Sequence, residues 1–277
     1  MTKSLPYRIL LLFYILFSAC LVTSAQKFSL GVKAGPLLTW SSFGDKDDKD
    51  NFTHKAKPGF FVGGLINFPL KKNYSFQSEA GYSMRGRKIL FNEDTWENNA
   101  TYNYVDLSMM LRKSFTFQLA KDVPADWFFN IGPHISYWIN SKGEVSAGSA
   151  NSSSYDYTVV YEAMPEAPPE PDFDIMYMTD INRWLFGLDF GIGFNAPIKS
   201  TQKLFTELRF MSGHTFYGTK SSATNRTLGF TDNLRSNEKF ISLTVAYTFD
   251  FDLREGKKGR STKDREIKTK SHKKKRR

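Results

Sequence analysis

Eight segments of the chain alternate apolar and polar residues, and the connections between them alternate between short and long. Successive side chains of a strand point to opposite faces, so this pattern predicts strands with one apolar and one polar face. In the last segment Ile241, Leu243 and Val245 share one face, while Ser242 and Thr244 share the other. Alternation alone does not separate a soluble sandwich from a barrel in lipid, so the connections must decide.

The predicted strands are residues 27–39, 58–69, 73–87, 101–115, 126–140, 183–196, 203–216 and 239–251. Short connections at 70–72, 116–125 and 197–202 alternate with long polar ones at 40–57, 88–100, 141–182 and 217–238. In a meander barrel every second turn lies on the same rim, and outer-membrane barrels carry short turns on one rim and long loops on the other. A sandwich has no reason to sort its loops by length. We therefore predict an all-β protein: an eight-stranded antiparallel up-and-down transmembrane β-barrel, OmpA/OmpX-like in size.

The longest connection contains two further alternating stretches, residues 155–161 and 173–178, around a proline-rich segment. They predict a hairpin that extends the fifth and sixth strands beyond the membrane, with a stiff proline tip.

The N-terminus has the features of an export signal. Lys3 and Arg8 precede an apolar run, and small residues ending at Ala25 follow it. The run is too short for a transmembrane helix, so residues 1–25 are predicted to be a cleaved signal peptide. Processing as a lipoprotein at Cys20 is the alternative. Because Cys20 is the only cysteine, a chain cut after Ala25 has no disulfide and no thiolate chemistry.

The C-terminus carries the net charge of the chain, which is +10. Residues 254–277 hold 13 Lys and Arg against 3 Asp and Glu, a composition that predicts a disordered tail after a barrel at residues 26–253. An even number of strands places this tail in the periplasm with the N-terminus. An exported protein meets little nucleic acid, so peptidoglycan carboxylates, lipid phosphates or an acidic periplasmic protein are the expected partners. A passive, solvated tail is the alternative. The candidate residues for binding such an anionic surface are Lys273, Lys274, Lys275, Arg276 and Arg277.

The polar face of the strands carries charges of both signs. Strand parity points four cations and four anions into the lumen: Lys33, Glu79, Arg85, Asp106, Arg112, Asp189, Glu207 and Arg209. An eight-stranded barrel is just wide enough for side chains to fill it, and paired charges are tolerated there. We expect a salt-bridged plug; a selective pore or a proton path is the alternative.

Catalysis has little support in the sequence. Ser212-Gly-His214 is loosely similar to the active site of barrel lipid-A deacylases, in which a serine follows the histidine by two residues, but Phe216 stands at that position here. The acidic segment at residues 45–50 lacks the spacing of a Ca²⁺ loop. We therefore predict no enzyme activity, no cofactor and no metal site.

Several short motifs resemble those of the PorT-like outer-membrane β-barrel domain family. They are Gly31-Val-Lys-Ala-Gly35, Gly59-Phe-Phe-Val-Gly-Gly64, Glu79-Ala-Gly-Tyr-Ser83, Tyr104-Val-Asp-Leu107, Asn130-Ile-Gly-Pro-His134 and Phe190-Gly-Ile-Gly-Phe194. The resemblance implies a barrel in the outer membrane of a Gram-negative bacterium, surrounded by outer-membrane lipid and inserted by barrel-assembly machinery. It implies no catalytic residue.

We expect the protein to act as an envelope interaction or scaffold protein through its outer loops and its basic tail. The founding member of the family belongs to a secretion and gliding apparatus, so a component of such an apparatus is the first alternative. A small porin or transporter is the second.

Overall fold

The computed structural model describes residues 27–45, 52–91, 96–120, 123–147, 153–165, 174–220, 223–225 and 230–252. These ranges contain 13 strands, all joined in one sheet. The predicted signal peptide and the predicted basic tail lie outside the described residues.

Eight of the strands pair antiparallel in a closed ring. They are β1 (Lys27–Phe43), β3 (Lys57–Pro69), β4 (Tyr74–Phe91), β5 (Trp96–Ala120), β6 (Val123–Ala147), β9 (Trp184–Lys199), β10 (Gln202–Phe216) and β13 (Ser236–Asp252). The ring closes between the first and the last strand, where Lys27 pairs with Asp252 and Phe43 with Ser236. Each of the eight predicted segments corresponds to one strand of this ring.

The prediction of eight strands is incomplete, because five short strands join the same sheet. They are β2 (Phe52–Lys55), β7 (Ser154–Val160), β8 (Ile175–Met178), β11 (Ala223–Asn225) and β12 (Phe230–Asp232). All five belong to connections predicted as long loops. We call them the cap, and we call the opposite end of the ring, with connections at 70–73, 121–122 and 200–201, the short-turn end.

Two predicted connections and the predicted hairpin are wrong. Residues 88–91 and 96–100 continue β4 and β5, and β5 and β6 reach Ala120 and Val123, so both connections are much shorter than predicted. The strands β7 and β8 are parallel neighbours, with Thr158 opposite Ile175, whereas a hairpin would make them antiparallel. The antiparallel partner of β7 is β6, and β8 pairs with the other edge of β7 in the same direction as β7.

The ring is staggered, so a row of paired residues climbs as it passes from strand to strand. One such row runs Phe68, Phe76, Leu111, Ile131, Phe190, Phe210, Ile241 and Leu38. The row starts on β3 at Phe68, and the neighbouring residue Asn67 pairs with Ser29 near the start of β1. After passing around the ring, the row reaches β1 at Leu38, which lies nearer the cap. Stagger of this kind accompanies strand tilt in closed barrels.

The ring presents apolar side chains outward and polar ones inward. Val32, Phe129, Trp184 and Leu243 are each about half exposed or more, whereas the charged residues predicted to face the lumen are buried. A soluble sandwich would show the reverse arrangement. Among the described residues, no helix has the length and apolar character needed to cross a membrane.

Candidate functional site: the filled interior of the ring

The structure places all eight lumen residues predicted from strand parity inside the ring, each no more than 5% exposed. Those nearer the short-turn end form one cluster. The Lys33 ammonium lies 2.9 Å from Glu79 and 3.1 Å from Glu207. Arg209 contacts Glu79 at 2.8 Å and Asp189 at 3.3 Å. Because each cation touches carboxylates from other strands, the cluster joins opposite walls of the ring.

A second group of charges lies closer to the cap. Arg85 contacts Asp106 and Glu238, each at 2.9 Å. His134 bridges the two groups, since its Nδ1 lies 3.1 Å from Asp189 and its Nε2 lies 3.5 Å from Asp106. Charged interior residues therefore connect along the axis of the ring as well as across it.

Below the charges, at the short-turn end, an apolar floor fills the ring. It consists of Leu65, Phe128, Phe205 and Ala246. The Arg112 guanidinium lies 3.6 Å above the Phe128 ring, a cation–π contact that covers the floor. A Cβ on Gly193 would come within 2.1 Å of the Phe128 ring, so glycine is required for that ring to fit.

Above the charges, four aromatic residues cross the interior. Tyr102, Tyr104, Trp138 and Tyr217 are fully or almost fully buried, and the Tyr102 ring centroid lies 4.7 Å from that of Trp138. They belong to an apolar cluster that continues into β7, β8 and β11 through Val159, Met176, Met178 and Ala223. The cap therefore closes the ring with a hydrophobic core of its own.

A buried ion pair fastens the connection before β13 to the ring. Arg87 of β4 contacts the Asp232 carboxylate and also donates to Asn233 O at 2.9 Å and to Ser236 Oγ at 2.9 Å. Asn98 donates to the second carboxylate oxygen of Asp232 at 2.8 Å. Burial raises the pKa of Asp232, and the Arg87 charge opposes that rise.

His54 of β2 lies in the cap beside Phe43, with 4.5 Å between the ring centroids. Burial, together with the nearby Arg87 charge, lowers the pKa of His54 to about 4. The imidazole is therefore neutral at pH 7 and packs as an aromatic ring.

The other candidate residues do not join this interior. Ser212 and His214 lie on the outward face of β10, on the same side as Leu208. Residues 46–50 of the acidic segment and the basic cluster Lys273 to Arg277 fall outside the described residues. No group of three or more His, Cys, Asp or Glu in the described ranges has the arrangement of a metal site.

Sequence reasoning missed Glu238, Arg87, Asp232 and the four aromatic residues. Arg87 follows Arg85 by two positions, so the same parity rule identifies it as inward. Glu238 lies one residue before the predicted start of the last strand, and Asp232 belongs to a connection predicted as a loop. Tyr102 and Tyr104 share the parity of Asp106 and were detectable by the same rule.

Residues 24–213 match the sequence model of the outer membrane protein beta-barrel domain family. The chain belongs to this family. The match covers about two thirds of the sequence and confirms that the chain is an outer-membrane β-barrel protein. The match is to the broad family of outer membrane beta-barrel domains. It does not identify the PorT-like group within that family. Comparison with curated proteins gives no match.

Three solved structures align with about four fifths of this chain at low sequence identity. OprG from Pseudomonas aeruginosa is 9% identical, with a TM-score of 0.48 over 82% of this chain and 97% of that chain. Neisserial surface protein A is 10% identical, with a TM-score of 0.38 over 81% and 97%. Ail from Yersinia pestis is 9% identical, with a TM-score of 0.34 over 80% and 98%. Similarities at this level do not indicate a function.

Proposed function

We propose that the protein is an eight-stranded transmembrane barrel that does not conduct and acts as an interaction or scaffold protein of the cell envelope. The observation that supports this is the filled interior. An apolar floor, a network of paired charges and an aromatic layer follow one another along the axis, and each is buried. A conducting pore needs a continuous aqueous path, and these layers occupy the space for one.

The cap supplies the surface for interaction. Where the cap strand β7 meets the ends of β5 and β6, the outward surface is polar, with Asn99, Lys142, Glu144 and Asp156 around a pocket. The short-turn end is placed in the periplasm in this proposal, together with both termini and the basic tail. The tail then binds peptidoglycan or an acidic protein through charge, and increasing salt weakens that binding.

Planar-bilayer recording tests the absence of conduction. Protein that shows β circular dichroism and a heat-dependent shift on unboiled gels should give no stable channel steps. Reproducible ion-selective steps would instead favour a porin or transporter. Because the folding control is separate, a silent recording from unfolded protein would not count as support.

Pull-down from detergent-solubilised outer membranes tests the scaffold role. We expect peptidoglycan fragments or an acidic envelope protein, lost when residues 254–277 are deleted. A stoichiometric set of secretion or gliding proteins, recovered with or without the tail, would overturn the proposal in favour of the apparatus component. The resemblance to the PorT-like family motivates this alternative.

A further inference from the structure

A groove crosses the outside of the ring between two rows of outward side chains. Its volume is about 550 Å³, and its lining is almost entirely apolar. Its floor is the backbone of the row Asn130, Gly191 and Arg209, and the Asn130 and Arg209 side chains point inward. The lower row is Lys113, Phe129, Ile192 and Leu208, and the upper row is Leu111, Ile131, Phe190, Phe210 and Ile241.

The groove rises from the short-turn end toward the middle of the ring. It follows the staggered row that climbs from β3 to Leu38, so it starts low on β5 and reaches β13 higher up. Adjacent strands are about 4.8 Å apart, and the four steps from β5 to β13 therefore span about 19 Å. This length matches an extended acyl chain.

The low end of the groove is basic. Lys113 sits on β5 between the outward residues Leu111 and Phe115, yet its ammonium bends back to donate to Lys72 O at 2.6 Å. It also lies 4.1 Å from the Tyr74 ring. A lysine that reaches in this way from an apolar surface toward a polar rim keeps its charge at the membrane interface.

The turn beside Lys113 adds further positive charge. Lys71 and Lys72 are exposed in the connection between β3 and β4. Lys72 and Asn73 have φ angles of 60° and 62°, the conformation of a two-residue type I′ turn. Asn and Gly adopt such left-handed conformations most easily, and Lys72 adopts one here although lysine is less suited to it. The turn lies beside the low end of the groove, because Lys113 Nζ donates to Lys72 O and Tyr74, which follows the turn, lines the groove.

We propose that this groove binds one anionic glycerophospholipid from the leaflet at the short-turn end. An acyl chain lies between the two rows, and the phosphate contacts Lys113 and Lys72, with Lys71 nearby. The charge of the rim argues for an anionic headgroup. Lys27 and Lys203 at the same end lie beside Asp252 and Asp250, at 3.2 Å and 2.7 Å, so a carboxylate already balances each of them.

Native mass spectrometry of the full protein tests the site. Protein is released from nanodiscs of phosphatidylcholine that contain a minor fraction of phosphatidylglycerol, and the retained lipids are counted. We expect one phosphatidylglycerol to be retained in preference to phosphatidylcholine. The double variant Lys72→Gln/Lys113→Gln should reduce this retention at least about tenfold, because charge-assisted hydrogen bonds are lost. The control Lys27→Gln/Lys203→Gln removes two charges from the same end and should retain the lipid.

A third variant tests the acyl-chain site independently of charge. Ile192→Trp places a large ring over the groove and should also reduce retention, while a heat-dependent gel shift shows that each variant is folded. Equal retention of both lipids, or unchanged retention in Lys72→Gln/Lys113→Gln, would overturn the proposal. Retention of lipopolysaccharide by the same lysines would assign the site to the other leaflet. A dimer that dissociates in Ile192→Trp would assign the groove to a second copy of the chain.

Discussion

At the scale of single residues, the stability of the interior depends on pairing. Arg209 is the most connected cation there, because it contacts carboxylates on β4, β9 and its own strand. Buried charge is costly in isolation, and each carboxylate of the cluster is compensated only while the cations remain in place.

Substitution of Arg209 by methionine should therefore destabilise the barrel strongly. Glu79, Asp189 and Glu207 would lose a shared partner, and a buried pair broken on one side costs about 3–5 kcal/mol. Urea unfolding in lipid vesicles measures the change. The control Arg235→Met removes a half-exposed guanidinium 3.4 Å from Asp45 and should cost no more than about 1 kcal/mol. Equal losses in the two variants would contradict the role assigned to the interior network.

Acid should loosen β2 through His54. Its pKa in the folded protein, about 4, lies below the ordinary value of 6.5, so the folded state favours the neutral ring. The stability it contributes is present above pH 6.5 and is lost as the pH falls through 4. The protection factors of the β2 amides, which are corrected for the intrinsic pH dependence of hydrogen exchange, should fall over this range, and His54→Phe should remove that fall while keeping the contact with Phe43. The same pH response in His54→Phe would assign the effect to another group.

Parity predicted the inward residues because it depends only on the period of the strand. It located Asp189 and Arg209 without knowledge of any partner. The specific pairs were beyond the sequence, since Lys33 reaches Glu207 across a separation of 174 residues that only ring closure brings together.

At the scale of elements, the strands of the ring extend well beyond the membrane. About ten residues of a tilted strand span the bilayer, whereas β5 and β6 each have 25. Their extra residues support the cap. Alternation predicted the spanning parts and the two stretches that form β7 and β8, but it missed β2, β11 and β12, which like β8 have only three or four residues each. Non-local pairing stabilises them, as the parallel contact of β8 with β7 shows.

Removal of the cap strands β7 and β8 should not open a channel. A variant in which a short Gly/Ser turn replaces residues 141–181 exposes Tyr102 and Trp138 but leaves the charge network and the Phe128–Phe205 floor intact. We expect a folded ring and no conductance in planar bilayers. Ion steps that appear only after this deletion would show that the cap, rather than the interior of the ring, is the seal.

At the scale of the whole molecule, ring closure and stagger determine what faces what. Along the axis of the ring, the basic short-turn end is followed by the outward apolar side chains and then by the polar cap end. The molecule therefore has two chemically different ends. The alternation of short and long connections predicted that the two ends differ. An experiment must determine which end faces the cell exterior.

Cysteine labelling of intact cells determines the orientation. Lys142, where β6 pairs with the cap strand β7, and Lys71 of the short-turn end are both exposed. Lys142→Cys (the cap variant) and Lys71→Cys (the short-turn variant) are introduced singly. A membrane-impermeant maleimide should label the cap variant in intact cells and the short-turn variant only after lysis. The unmodified chain is the background control, because Cys20 lies in the predicted signal peptide. Labelling of Lys71→Cys alone in intact cells would reverse the proposed orientation.

The pairing of β1 with β13 also has a kinetic consequence. Lys27 meets Asp252 only after the whole described chain has been synthesised, and contacts between such distant residues form slowly. Until then the backbone donors and acceptors of both edge strands are unpaired, a state that lipid does not tolerate and that invites association with other chains. The lifetime of the open ring, rather than the stability of the closed one, therefore sets how much protein is lost to aggregation during assembly.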